Sequence, residues 1–578
     1  MTSSTRSTLT LTHQEELGMF KKRLGVLSVV GALLAINLSA ISAAAEEGTT
    51  LPFILRNENF AFEERVAAVI IDAGAVVNDA SLSAEDFDVH VVSTRMVDPD
   101  VVAYDGPREV TDVYLSEVED WGFPADEGRY IVLDFAHVGW GDGGTTGDSG
   151  FYLEAQYTVT YKGDPITTVD GSTITPTAFE QTGVVSPVLD QYQYATSPEG
   201  MEYAYFLNDE VDEPLPLVVY FHGGGQGGDN YNPARFSNGG TVWAEPENQA
   251  EFPTHVLVPR TPGFQTDIAA VKGVIDRWIA EGKVDPNRIY MTGFSMGSSS
   301  TWAFVSAYPE YVAAAFYGAG TGPQTAELVD AVDHMPLWEW VDEQDFAYDG
   351  VLDRFNTWGE YLTDYELTIL PEVTLYEYPY NGWTFDGHSS WLVAYNEYVH
   401  DTRGTVFDWF FGISRIRGIE EVAVDTVAGV APELPETVTV DVNHNATGVV
   451  SEERSVVWDA IDPAAYGVAG PGVFTVEGTI DGVVEKAVAT VTVEYRNRID
   501  DLYDLVADLD LNTGNKKALT VKLSTAERLI ATGSTGAASN VLGAFINQVN
   551  AFSGTKIPEA QAEELVFAAE ETIRSITD

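Results

Sequence analysis

Three textures of hydrophobic and polar positions alternate along the chain. From about Glu46 to Thr196, apolar runs at Arg65 to Ile71, Asp88 to Val92, Arg129 to Phe135 and Leu153 to Tyr161 are separated by turn-rich polar gaps. Short, spaced runs of this kind predict the strands of a β-sandwich. At Pro216 the pattern changes. Leu217 to Phe221 is a continuous apolar strand, and Thr254 to Val258 is another. Thr266 to Ala280 puts Ile268, Val271, Ile275 and Ile279 on one helical face, with Thr266 or Asp267 as cap and Gly282 as stop. Further strands are expected at Arg288 to Thr292, Ala313 to Tyr317, Pro336 to Val341 and Val373 to Tyr378, with helical stretches between. Strands alternating with helices imply an α/β layer with a mostly parallel sheet, at residues 200–414. From Gly418 to Arg496 β alternation returns, in Thr437 to Val442, Val456 to Trp458, Gly472 to Gly478 and Ala487 to Val493. Asn497 to Asp578 is helical by pattern.

A length of 578 residues suits several domains, and 45% hydrophobic and 11% aromatic residues suffice for packed cores. At the start, Lys21-Lys22-Arg23 precedes an apolar run from Leu24 to Leu38 and small residues ending at Ala45. This predicts a secretory signal over residues 1–45, with Met19 as an alternative true start. The run is short for a membrane span, so an exported, extracellular chain without membrane insertion is expected. The absence of cysteine excludes disulfides and thiolate metal sites. Thirty basic against 89 acidic residues give a net charge of −59. Such a field repels nucleic acid and anionic membranes and strains the folded state by self-repulsion, which salt screens. Adaptation to a salty or alkaline exterior is the expectation. The Gly- and Asp-rich stretch Gly139 to Gly150 could hold calcium, but its spacing is not that of an EF-hand, and it reads as a flexible loop.

The chemistry concentrates at Gly293-Phe294-Ser295-Met296-Gly297, a G-x-S-x-G between the strand ending at Thr292 and a helical stretch that stops at Pro309. That setting puts a serine on a sharp strand-to-helix turn with its Oγ clear of the sheet, which makes Ser295 a candidate nucleophile. Working groups of an α/β sheet stand at the C-terminal ends of strands. His334 precedes its strand, His400 falls in a predicted helical stretch, and His444 belongs to another domain. His388 remains as the candidate base. An acid must hold its imidazole, and Asp345 has better reach than Asp342, which stands at the strand end. For an oxyanion hole, the amide of Met296 follows the nucleophile, and Gly224 lies in the loop His222-Gly223-Gly224-Gly225 after an early strand. No Gly-Lys-Ser/Thr follows those glycines, so a P-loop is excluded. Trp340, Trp383 and Trp391 lie in or beside these segments and are candidate walls for apolar or aryl acyl groups or for a polymer chain.

Several of these segments carry resemblances. Val69 to Val92 resembles the immunoglobulin-like domain that precedes some secreted bacterial esterases. Val457-Trp458-Asp459-Ala460-Ile461-Asp462-Pro463, with the run from Pro471 to Gly478, resembles a bacterial immunoglobulin-like domain. Leu542 to Val549, with Lys522-Leu523, resembles the helical FIMAH domain of exported bacterial enzymes. Leu217 to Asn230, Val284 to Gly297, Pro336 to Asp345 and Gly387 to Trp391 together resemble the secreted α/β-hydrolase esterases related to polyhydroxybutyrate depolymerases and predicted peptidases. The resemblance implies nucleophile Ser295, base His388 and an acid at Asp345. The chain departs from that pattern at Val341-Asp342, where His-Gly is frequent, and at Ser298-Ser299-Ser300, where glycines are frequent.

The expected layout is therefore a signal over 1–45, an Ig-like sandwich over 46–196, an α/β-hydrolase domain over 200–414, a second Ig-like domain over 418–496 and a FIMAH-like all-α domain over 497–578. The expected activity is ester hydrolysis through an acyl-enzyme, with no metal or organic cofactor, on a small or polymeric ester that is not strongly anionic. A neutral to alkaline optimum follows if His388 must be unprotonated. Contact with a cell surface or polymer is expected of the C-terminal modules. A peptidase of the same fold and a binding or scaffold protein with a decayed core are the competing expectations.

Overall fold

The computed structural model describes residues 49–577 apart from 263–265, 323–324, 397 and 468–471. The expected signal segment lies outside the described residues. At the centre stand eight strands: β1 Gln193–Thr196, β2 Glu202–Phe206, β3 Leu215–Phe221, β4 His255–Pro259, β5 Val284–Phe294, β6 Ala314–Gly318, β7 Leu337–Asp342 and β8 Tyr365–Leu370. They form one sheet in the order β1-β2-β4-β3-β5-β6-β7-β8. β2 runs against both its neighbours, and the pairings from β4 through to β8 are all parallel.

The inner strands are buried at nearly every position and mostly apolar because both faces are covered. On one face Leu217, Val219, Met291 and Tyr317 pack against Val271, Val274 and Trp278 of α1 (Ile268–Ala280) and Phe304 and Val305 of α2 (Met296–Ala307). On the other, Val218, Tyr220, Tyr290, Phe316 and Trp338 meet Trp243, Tyr395 and Phe410. From β3 the chain steps outward to β4, then returns past β3 to β5. That reversal makes a crevice at the C-terminal ends of β3 and β5, where ligands of open α/β sheets bind.

The strand that follows β7 differs from expectation. It is β8, whose Tyr-Glu-Leu-Thr-Ile-Leu is half exposed and too polar to read as a buried run. Of the expected strand Val373 to Tyr378, only Thr374–Leu375 pairs, and it pairs with Trp383–Thr384 across a hairpin that turns at Asn381 (φ 50°) and Gly382 (φ 85°). His400, expected in a helix, sits instead in an isolated bridge to Gly404.

The N-terminal β-rich region is two facing sheets. One contains Pro176–Val185, Thr49–Asn59, Glu64–Val77, Gly128–Phe135 and Val110–Ser116, and the other Asp98–Arg108, Phe87–Arg95, Phe151–Tyr161 and Gly147–Asp148. Phe53, Val69, Ile71, Val91, Leu133 and Tyr157 fill the space between them. Gln193 to Thr196, read from the sequence as the end of this region, is β1 of the central sheet. The acidic loop from Gly139 is gripped by an arginine. The buried Arg65 guanidinium donates to Gly139 O at 2.8 Å and to both Asp142 oxygens at 2.5 and 2.6 Å. Among the described residues no group of three or more acidic or histidine side chains is placed to share a metal ion.

After the central sheet, Ile416–Ile419, Thr437–His444, Gly448–Trp458, Gly472–Ile480, Lys486–Glu494 and Val422–Val427 pair in that order as a second β domain. Buried Asn445 fastens it to the central sheet by donating Nδ2 to Pro309 O (2.6 Å) and Val312 O (2.8 Å). Those carbonyls precede β6, so this domain sits at the N-terminal ends of the strands. Four helices, Ile499–Asp508, Thr513–Ala531, Thr535–Phe552 and Glu559–Thr577, then enclose Leu502, Leu523, Leu542, Phe545 and Leu565. No described helix is long and apolar enough to cross a membrane.

The N-terminal sandwich docks at the opposite, C-terminal edge of the sheet. Phe60 and Phe62 belong to the same apolar cluster as Tyr220 and Phe294. Beside them the fully buried Glu64 carboxylate takes a hydrogen bond from Arg235 at 2.8 Å, and Arg235 lies 4.2 Å over the Tyr152 ring. Removing one member of a buried pair strands the other charge. Arg235→Met is therefore expected to cost about 3–5 kcal/mol in urea unfolding, and Glu64→Leu added to it to recover most of that loss.

Candidate active site

Ser295 occupies the junction of β5 and α2 with φ 57° and ψ −120°, a conformation few non-glycine residues adopt. Such a backbone costs about 1–3 kcal/mol and persists only where its surroundings over-determine it. They do so here. Ser295 N donates to Gly318 O at the end of β6 (3.0 Å). A Cβ on Gly297 would collide with Phe221 O of β3, and one on Gly293 with Phe221 O and Gly297 O. The two flanking glycines thus let α2 start in contact with β3 and β5. The three serines at the start of α2, where the resembled pattern has glycines, are tied to neighbouring loops. Ser298 Oγ donates to Thr321 O (2.5 Å), Ser299 bonds the Thr321 hydroxyl (2.7 Å), and Ser300 bonds that of Thr266 (2.7 Å).

His388 stands in a single turn of 3₁₀ helix whose start is capped by Asp386, the Oδ1 of which accepts the His388 amide at 2.9 Å. Its Nε2 is 2.8 Å from Ser295 Oγ, and its Nδ1 is 2.9 Å from Asp345 Oδ1. An ionised carboxylate only accepts, so Nδ1 carries the proton and Nε2 is free to accept from the serine hydroxyl. The Asp345 side chain is fully buried, the imidazole about a fifth exposed. Ala347 N also donates to Asp345 Oδ1 (2.8 Å), fixing the carboxylate from behind. Asp342 points elsewhere. Its Oδ1 accepts from Gln344 N at 2.7 Å, closing the turn that presents Asp345. Burial raises the Asp342 carboxyl above its usual range, the Gln344 N–H opposes this, and the Asp345 charge adds to it.

Met296 is the first residue of α2, and amides in a first helical turn lack an intrahelical acceptor. The loop after β3 faces the same crevice. There the Gly223 amide is taken by Gln226 Oε1 (2.9 Å), whereas Gly224 is exposed. Two buried side chains shape this loop. His222 accepts from Thr261 N on Nε2 (2.9 Å) and donates from Nδ1 to Gly223 O (2.8 Å). Asp229 Oδ1 accepts from Tyr231 N and Asn232 N at 2.8 and 2.9 Å. Its Oδ2 accepts from Tyr152 N of the sandwich at 2.7 Å, and its own amide donates to Gly150 O at 3.1 Å. The backbones meet so closely that a Cβ on Gly150 would strike Gly225 O and one on Gly228 would strike Gly150 O. A sandwich hairpin therefore grips the loop that carries Gly224.

The tryptophans divide. Trp340 is completely buried among Phe316, Trp338 and Tyr398 and belongs to the core, which corrects its reading as a site wall. β7 is an inner strand, so both its faces are covered. Trp391 is half-buried, 5.5 Å from Phe294 and 6.0 Å from His388, nearly perpendicular to the imidazole. Trp383 is exposed on the hairpin before His388. Sequence reasoning missed Asp229 and Asp386. Both had a readable signal, an Asp two or three residues before the amides it caps.

Burial pushes the His222 imidazole down to about 4, only partly offset by its bond to Gly223 O. The unfolded chain then takes up a proton near pH 6.5 that the folded chain refuses until about pH 4. Stability is full above pH 6.5 and falls through that window on acidification. Urea unfolding of His222→Gln is expected to lose about 3 kcal/mol less than the native chain between pH 6.5 and 4.

Family models identify an esterase Ig-like N-terminal domain over residues 56–175, a bacterial Ig-like domain (group 4) over 419–483 and a FIMAH domain over 499–574. No curated protein matches the chain. Among solved structures, a thermostable esterase aligns over 63% of this chain and 99% of its own length, at 26% identity and a TM-score of 0.53. More distant are an S-formylglutathione hydrolase from Staphylococcus aureus (14% identity, 31% of this chain, 89% of its own, TM-score 0.25) and a fluorophosphonate-binding serine hydrolase from the same organism (15%, 33%, 92%, 0.26). With an esterase Ig-like domain and a likeness that runs the whole length of a thermostable esterase over 63% of this chain, the chain is an enzyme of the esterase type.

Proposed function

We propose that this chain is an exported carboxylic-ester hydrolase of the α/β-hydrolase fold, with Ser295, His388 and Asp345 as its catalytic triad. The observation that carries this reading is the unbroken relay from Ser295 Oγ through both imidazole nitrogens to the buried Asp345 carboxylate. Supporting it are the strained serine elbow and the strand order that reverses at β3. Ser295 Oγ bonds to the ester carbonyl carbon as Nε2 of His388 removes its proton. The carbonyl oxygen becomes an alkoxide facing the Met296 and Gly224 amides. Collapse of this intermediate breaks the bond to the alcohol, which leaves with the proton from His388. Water then attacks the acyl-enzyme by the same route and regenerates Ser295. Asp345 holds the Nδ1–H tautomer and stabilises the imidazolium.

The substrate class we favour is a neutral short-chain, aryl or polymeric ester, because the chain's negative field disfavours anionic ones. The same field leaves no role for nucleic acid as a partner. The C-terminal Ig-like domain is fastened at the N-terminal ends of the strands, which leaves it and the FIMAH domain that follows it free to contact a surface or polymer while the crevice stays open. Chromogenic esters of rising acyl length test the reading. Ser295→Ala is expected to lower kcat by about a thousandfold or more and to abolish fluorophosphonate labelling. Retained turnover or labelling would overturn it. Asp229→Asn keeps an acceptor for the loop's own amides but turns an N–H toward Tyr152 N. It is expected to lower kcat about tenfold with KM nearly unchanged, because a displaced Gly224 amide weakens only transition-state binding.

A further inference from the structure

The turn that supplies the acid also supplies a ring. Phe346 directly follows Asp345 and, at 82%, is the most exposed large apolar side chain among the described residues. Burial therefore does not account for it. Its ring nevertheless lies over the face of the His388 imidazole, with centroids 4.3 Å apart and planes tilted by 32°. The backbone on either side is pinned. Asp345 N donates to Asp342 O and Tyr348 N to Asp345 O, each at 3.1 Å, while Ala347 N holds the Asp345 carboxylate. One turn thus sends a carboxylate inward to the Nδ1 edge of His388 and a phenyl ring outward over its face. Trp391 borders the same imidazole at 6.0 Å.

An aromatic face is electron-rich, and a cation within about 6 Å of its centroid is attracted to it. The imidazole is neutral in the resting triad and becomes a cation only as Ser295 gives up its proton. An interaction with that cation is stronger in the transition state than in the ground state, so it acts on kcat and leaves KM alone. We infer that Phe346 is a positioning residue for the acyl-transfer step, orienting the His388 ring toward Ser295 and stabilising the imidazolium formed there. This rests on the triad proposed above.

The test compares Phe346→Leu, Phe346→Tyr and Phe346→Trp in the full chain. The readouts are the rate of fluorophosphonate labelling of Ser295, and kcat and KM on p-nitrophenyl acetate and hexanoate. Leucine keeps an apolar side chain but has no π face. It is expected to slow labelling and kcat about two- to fivefold, equally on both esters, with KM unchanged. Tyrosine and tryptophan are expected to restore both. The side chain is exposed, so all three variants should melt with the native chain. A leucine variant with native labelling and kcat would overturn the inference. So would a loss confined to KM that grows with acyl length, which would make Phe346 a wall of the acyl pocket. A native chain that neither labels nor turns over either ester would overturn the proposed function itself, and the inference with it.

Discussion

The site depends on one strained residue held in place by close backbone packing. Ser295 sits at positive φ because α2 must begin where β5 ends, with the carbonyl of Phe221 pressed against Gly297. Any side chain at 293 or 297 would push the helix off the sheet and let the serine relax to an ordinary conformation. Oγ would then no longer stand in the crevice. The strain is maintained by the sheet itself, since Ser295 N is fixed to the end of β6 and α2 is packed through Phe304 and Val305. The elbow, the acid turn and the histidine loop are thus three short segments referenced to one rigid object.

Electrostatics then selects among many similar groups. The chain carries 89 acidic residues, and four of them lie within eight residues after β7 begins to end: Asp342, Glu343, Asp345 and Asp349. What distinguishes Asp345 is a fully buried side chain that receives both the imidazole and a backbone amide, so its charge is held at one point and unscreened. Asp342 is equally buried but is committed to the turn that aims its neighbour. A surface carboxylate in such an acidic chain could drift toward His388, but solvent would screen it and nothing would orient it.

The N-terminal sandwich is part of the candidate site's framework rather than an appendage. It meets the C-terminal edge of the sheet through the Glu64–Arg235 pair, the Phe60 and Phe62 rings, and the backbone contact between Gly150 and the glycine loop. The second β domain, by contrast, is fastened at the opposite edge through Asn445. This division leaves one end of the sheet shaped by the sandwich and the other available to the C-terminal modules.

Much of this was legible in the chain because it is written in local periodicity. The apolar runs of the inner strands, helix α1 with its cap at Thr266 or Asp267, the glycine-flanked serine and the helical character of the C-terminus all follow from residues within a few positions of each other. Position relative to strand ends was also enough to single out His388. Where the sequence reading failed, the deciding contacts were distant. β8 is half-exposed and too polar to stand out, whereas the neighbouring Val373 to Tyr378 reads as a strand from its pattern. Trp340 looked like a site wall until the sheet showed both its faces covered. Gln193 to Thr196 pairs with β2 by register, which its own composition does not announce. Spacing favours Asp345 over Asp342 by reach alone, and the turn's hydrogen bonds supply the reason, since Gln344 N holds Asp342 Oδ1 while Asp345 Oδ1 faces the imidazole. Sequence alone determined which elements form and which residue types could do chemistry. Tertiary structure decided which of them meet, because burial and orientation of a side chain are set by neighbours tens of residues away along the chain.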